Sequence, residues 1–265
     1  MNRIALAALV ALTAGAVSAA DHPWSGKKVA YLGDSITDPA QTNRHSQAVY
    51  WQYLERDCGI EPHVYAVSGY QWLQIHPMAQ RMKEEMGDSV DAILILLGTN
   101  DYMAGVPLGE FYEYSKASAN LWGKETLLKR RALSKDPATY CGRINIALEK
   151  LKTDFPETQI VLMTPLHRAF FQCSATNVQP PESFANARGL FIDAYADAIR
   201  HAGRIWSVPV IDLYGESGLL PENESYIGYF ANSKSDLLHP NTSGHRRIAD
   251  LIEARLNALP ATFRK

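Results

Sequence analysis

Apolar positions along this chain fall into two alternating periods. Short apolar runs that read as buried strands occur at Lys28 to Leu32, His63 to Val67, Asp91 to Leu97, Gln159 to Thr164 and Val208 to Leu213. Between them the spacing lengthens to that of a helix face. Trp51, Leu54 and Cys58 share one face of a helix over Ser46 to Cys58, with Gly59 as its stop. A weaker pattern covers Gln74 to Met86, and Ile144, Leu148, Leu151 and Phe155 mark a helix running to Phe155. Phe191 to Ala202 forms another, and the last, capped near Asn241 to Ser243, buries Ile248, Ile252, Leu256 and Leu259.

Strands alternating with helices predict an α/β fold, a parallel five-stranded sheet covered on both faces. Asp91 to Leu97 is the most apolar run and belongs at the sheet centre. Pro209 cannot donate to a ladder, so the fifth strand is expected at an edge. Residues 171–182 and 214–235 read as loops. Residues 102–139 break the alternation with polar, basic and aromatic side chains, among them Phe111, Tyr112, Tyr114, Trp122 and Lys129-Arg130-Arg131. An insertion of that length with aromatics predicts a lid over a binding crevice, although the basic triplet alone also fits an exposed face.

The first twenty residues read separately. Arg3, the apolar stretch Ile4 to Val17 and the small residues Val17-Ser18-Ala19-Ala20 have the form of a secretory signal peptide, cleaved near Ala19 or Ala20. The stretch is shorter than the roughly 20 apolar residues of a membrane span. Export to a secreted or periplasmic location without stable membrane insertion is therefore expected, leaving one domain over 21–265. The chain carries 26 Lys and Arg against 28 Asp and Glu, so no basic stripe argues for a nucleic-acid partner. Cys58, Cys141 and Cys173 are an odd count with no metal-ligand spacing; they read as structural thiols, with any pairing left open. The pattern leaves the oligomeric state open.

Candidate chemistry gathers at strand ends, where open parallel sheets bind ligands. The first strand ends in Gly33-Asp34-Ser35-Ile36-Thr37, the second in Ser68-Gly69 and the third in Gly98-Thr99-Asn100-Asp101. Each has a plain reading as well: a helix cap for Asp34-Ser35, a turn glycine for Gly69, an Asx turn for Asn100. In the doubly wound order 2-1-3-4-5, however, Ser35, Gly69 and Asn100 become neighbours. Asp236-Leu237-Leu238-His239-Pro240 adds a carboxylate three residues before an imidazole, the pairing that a serine nucleophile's base requires.

These four blocks, in this order, resemble the GDSL/SGNH hydrolase family over nearly the whole mature chain. The resemblance implies the three-layer, flavodoxin-like SGNH hydrolase fold. It also implies Ser35 as nucleophile, His239 as base, Asp236 as its orienter, and an oxyanion hole of Ser35 N–H, Gly69 N–H and the Asn100 side chain. No metal or organic cofactor is implied. The expected activity is ester hydrolysis through an acyl-enzyme, with a small-molecule or oligosaccharide ester as partner and an extracellular carbohydrate O-acetyl ester favoured. Tyr70 and Trp72, beside the second block, are candidate sugar-stacking residues, and His167 is a candidate pocket residue. Alternatives are a lipase, thioesterase or general short-chain esterase, an acyltransferase, and a non-catalytic binding module at the same crevice.

Overall fold

Three central strands, β1 (Lys28–Gly33), β3 (Ala92–Leu96) and β6 (Gln159–Met163), carry the sheet in a computed structural model that describes residues 22–263. The shorter β2 (Glu61–Val64) and β9 (Val210–Ile211) form its edges. All pairings are parallel, in the order β2-β1-β3-β6-β9, which is the 2-1-3-4-5 order expected. The fifth strand is at an edge as Pro209 requires, but only Val210 and Ile211 are left to pair. The signal-peptide residues lie outside the described residues.

Alternate residues of β3 face opposite layers. Ile93 and Ile95 pack with Met78, Ile144 and Ile199; Ala92, Leu94 and Leu96 pack with Tyr50, Leu54, Ile248 and Ile252. The first layer is built from α2 (Ile75–Met86), α4 (Tyr140–Asp154) and α5 (Ile192–Trp206). The second comes from α1 (Tyr50–Cys58) and α7 (Thr242–Leu256). Two short helices, α3 (Thr99–Met103) and α6 (Leu213–Glu216), follow β3 and β9. Gly59, at φ 68°, ends α1 in the left-handed conformation that favours glycine.

Two segments depart from the sequence reading. Residues 171–182, and 230–232 within the stretch 214–235, are not plain loops, and 236–240 is a strand. They form a small antiparallel sheet, β10-β11-β7-β8, from β7 (Phe171–Gln172), β8 (Val178–Gln179), β10 (Phe230–Asn232) and β11 (Asp236–Pro240). Strands of two or three residues carry no readable alternation, which is why they escape a pattern search. The insertion at 102–139 holds a long hairpin, β4 (Tyr112–Leu121) with β5 (Lys124–Leu133), that pairs with no other strand among the described residues. Its base is pinned by Asn145, whose amide donates to the carbonyls of Phe111 and Ser134, both at 2.9 Å. Cys58, Cys141 and Cys173 are all free thiols, the first two buried and the third exposed.

Candidate active site

Ser35 stands on a turn that only glycine lets the chain enter. A Cβ on Gly33 would meet Thr37 Oγ1 at 2.5 Å and the Leu96 carbonyl at 3.1 Å. The Asp34 carbonyl then accepts N–H bonds from Thr37 and Asp38, and its carboxylate accepts one from Ile36 at 3.0 Å. This turn closes on Ser35 and holds it at the carboxyl end of β1.

The imidazole comes from the small sheet. His239 is the fourth residue of β11, and its Nε2 lies 2.9 Å from Ser35 Oγ although 204 positions separate them. On the other side of the ring, Nδ1 is 2.9 and 3.1 Å from the two carboxylate oxygens of Asp236. Asp236 also accepts the backbone N–H of His239 at 2.9 Å and of Leu238 at 3.2 Å. Burial pushes the Asp236 carboxyl up, but the hydrogen bond and charge of His239, with those two N–H groups, hold it below the usual carboxylate value. It stays an acceptor, so the Nδ1 proton points at Asp236 and the Nε2 lone pair is free for the Ser35 proton.

Three donors belong to residues that line one cleft. The backbone N–H groups of Ser35 and Gly69 donate to no protein acceptor among the described residues. Gly69 has a φ of +86°, a conformation that favours glycine, with open space where a Cβ would sit. Asn100, the second residue of α3, donates one amide N–H to the Tyr70 carbonyl at 2.9 Å, which leaves the second N–H for a ligand. Ser35, Gly69 and Asn100 all line one cleft of about 470 Å³, together with Asp236 and His239. Two unpaired N–H groups and one oriented amide around a hydroxyl are the requirement for holding a developing oxyanion.

The blocks are tied to one another. Asp38 accepts both the Ser68 N–H at 2.8 Å and the Ser68 hydroxyl at 2.7 Å, locking the second block to the first. Asp101 accepts the Trp72 N–H at 3.1 Å and Arg143 Nη1 at 2.9 Å, locking the third to the second. Arg168, fully buried, donates to Thr99 Oγ1 at 3.2 Å and to Gln179, linking the third block to the small sheet. Burial lowers this guanidinium to about 10 and raises the Asp34 carboxyl to about 7 and that of Asp101 to about 6. In Asp34 the Ile36 N–H opposes the rise; in Asp101 the Trp72 N–H and Arg143 oppose it.

Several expectations for substrate contacts are corrected. Trp72 is 1% exposed and packs in the core with Tyr140 and Ile144, so it offers no stacking face. Tyr70 packs against that same core, and what it gives the site is its carbonyl, not its ring. His167 pairs through Nδ1 with Glu182 at 2.5 Å, packs on Tyr214 and does not line the cleft. No residue of 102–139 lines the cleft either; its outer wall comes from residues 171–179 and 231–235. The insertion diverges because its chain runs off over Asn145 into a free hairpin.

His45 had no signal beyond its residue type. Its ring stacks on His239 at 4.8 Å and 3° between planes, while Phe171 meets His239 edge-on at 5.1 Å. Burial, and then the His239 charge, lower the His45 basicity; Asp236 opposes this from 3.6 Å. His45, Asp236 and His239 have ligand atoms close enough to surround a metal. Parallel rings, however, cannot aim in-plane lone pairs at one ion. His22, Cys58 and Glu253 form a second such group. There His22 Nδ1 accepts the Trp24 N–H at 3.2 Å, placing the ring proton on Nε2 and leaving no lone pair on that nitrogen.

The same fold occurs in solved structures. A protein from Lactobacillus plantarum is 24% identical, with 88% of this chain and 98% of that one covered at a TM-score of 0.65. A protein described as a possible lipase from Chitinophaga pinensis is 21% identical, covering 88% and 99% at 0.66. LAE5, an α/β hydrolase enzyme from the metagenome of Lake Arreo, is 17% identical, covering 87% and 94% at 0.51. No curated protein matches the sequence. The model of the GDSL-like lipase/acylhydrolase family matches residues 31–247, from the first strand into the last helix. The chain belongs to this family, and the activity that membership implies is ester hydrolysis.

Proposed function

We propose that the protein is an exported serine esterase that cleaves small acyl groups, acetyl foremost, from carbohydrate hydroxyls. The observation that carries the serine mechanism is the unbroken chain Ser35 Oγ, His239 Nε2, His239 Nδ1, Asp236. His239 takes the Ser35 proton as Oγ attacks the ester carbonyl. Charge on the carbonyl oxygen is met by the Ser35 and Gly69 N–H groups and by the free Asn100 amide N–H. The imidazolium, paired with Asp236, gives its proton to the departing alcohol. Water, deprotonated by the same ring, then hydrolyses the acyl-Ser35 ester and restores the hydroxyl.

The choice of substrate is supported by the cleft wall rather than by aromatic faces. Gln41, Arg44, Ser68, Asn177, Gln179, Asn232 and Ser235 line it, against few apolar side chains such as Phe171, Ala231 and Leu238. Amides and hydroxyls match sugar hydroxyls, whereas a long acyl chain would leave these groups unpaired on binding. Export rests on the leader pattern of residues 1–20. The test is turnover of acetylated oligosaccharides against aryl acetate and aryl palmitate esters. The reading predicts the acetylated sugar first and palmitate last. Preference for palmitate favours the lipase alternative, and acetyl transfer to an added sugar in place of water favours the acyltransferase.

A further inference from the structure

The β4–β5 hairpin is more structure than the site uses. Its ten-residue strands extend about 33 Å, and no residue from 112 to 133 is buried. A lone two-stranded hairpin is at best marginally stable in water. Among the described residues, both of its outer edges also present unpaired backbone N–H and C=O groups, a template for pairing with another chain. At its tip, Trp122 is 95% exposed and has a φ of +53°, a conformation that bulky residues rarely adopt. A turn of this kind favours Asn or Gly. Strain accepted in order to hold an indole in solvent points to a partner that covers it.

We propose that this partner is a second copy of the chain, paired antiparallel through β4 edge to β4 edge about a two-fold axis at Ala117. The choice of edge follows from charge. β5 carries Lys124, Lys129, Arg130 and Arg131 against Glu125, so two β5 edges would bring like charge together along the seam. β4 carries one Glu113 and one Lys116, and its middle, Ser115 to Asn120, has no other charge. A β4-to-β5 contact between copies would be head-to-tail and would not close.

Backbone geometry limits the register to an axis through a residue, and side-chain pairing chooses among these. In an antiparallel pair, directly opposite residues both point their N–H and C=O groups at each other or both point them away. Two identical strands therefore meet with a residue, not a peptide bond, on the axis. An axis at Lys116 sets ammonium against ammonium. An axis at Ala117 pairs Lys116 with the partner's Ser118, Tyr114 with the partner's Asn120 and Ser115 with the partner's Ala119. It also brings the turn residue Trp122, one position beyond the end of β4, next to the partner's Tyr112 at each end of the seam.

Light scattering and sedimentation on the full mature chain test this, with two cysteine variants and one excision in a Cys173→Ser background. Ala117→Cys should yield a covalent dimer under mild oxidation, because residues opposite each other on the axis fall within disulfide reach. Lys116→Cys should not, its counterpart being two residues along the partner strand. Excising 112–133 joins Phe111 to Ser134, whose backbones already hydrogen-bond at 3.0 Å, through an Asn-Gly turn. That variant should be monomeric with the small-ester turnover of the Cys173→Ser parent retained, which also shows that it is folded. A monomeric parent chain overturns the proposal, including one that binds anionic vesicles through the hairpin. So does a dimer that survives excision, or equal cross-linking at 116 and 117.

Discussion

Truncating Asn100 to Ala separates the chemistry of the site from its architecture. The side chain makes one protein hydrogen bond, to the Tyr70 carbonyl at 2.9 Å, and offers its second N–H to the cleft. Losing the second N–H removes one of the three proposed oxyanion donors, which costs about 100- to 1000-fold in turnover. Because that donor acts on charge formed in the transition state, the loss belongs in kcat, with KM little changed. Losing the first bond leaves a partly buried carbonyl without its donor, about 1 kcal/mol of stability. For a domain of this size that is roughly 2–4 °C in Tm. The assay is steady-state kinetics on an aryl acetate beside a thermal melt. A kcat within threefold of the parent, with the Tm shift present, would refute the oxyanion role while leaving the structural one intact.

The remaining predictions use other parts of the site. Asp236→Asn removes the carboxylate that fixes the His239 tautomer, and kcat should fall by roughly 10⁴ with the fold retained; a loss below tenfold in stopped-flow or steady-state rates argues against the pairing. Trp72→Phe should lower Tm by less than the roughly 3–5 kcal/mol of full truncation would and leave KM for every ester unchanged. A selective rise in KM for sugar esters would return Trp72 to the cleft. Asp34 stays protonated in the folded state up to about pH 7 while the unfolded chain releases that proton near 3.8. The folded state thus binds more protons across that window, and stability falls as the pH rises through it. Asp101, raised to about 6, acts in the same direction. Asp34→Asn should flatten the fall in Tm between about pH 4 and pH 7; an identical slope would contradict the burial argument.

The strand order was legible because the central runs are apolar throughout, and Asp91 to Leu97 sits where its composition demands. From that order came the neighbourhood of Ser35, Gly69 and Asn100, and all three line one cleft. The small sheet was not legible. β7, β8 and β10 have two or three residues each, too few for a period, so the strand that carries Asp236 and His239 had no partner visible in the sequence. The hairpin hid for the opposite reason: it is exposed on both faces, and an unburied strand has no apolar side to alternate. Trp72 shows the limit for single residues, since an aromatic beside a motif has the same sequence signature in a core as in a cleft. His45 and Asp38 gave no pattern at all; only the folding of 38–45 against Ser68 and His239 shows what they touch.

The most direct test of the central claim is to trap the nucleophile. The protein is treated with a serine-directed phosphonate and the adduct is mapped by peptide mass spectrometry. The account predicts a single adduct on Ser35, loss of aryl acetate turnover in step with labelling, and no adduct in His239→Ala. Labelling at another residue, or full turnover with Ser35 blocked, would contradict it.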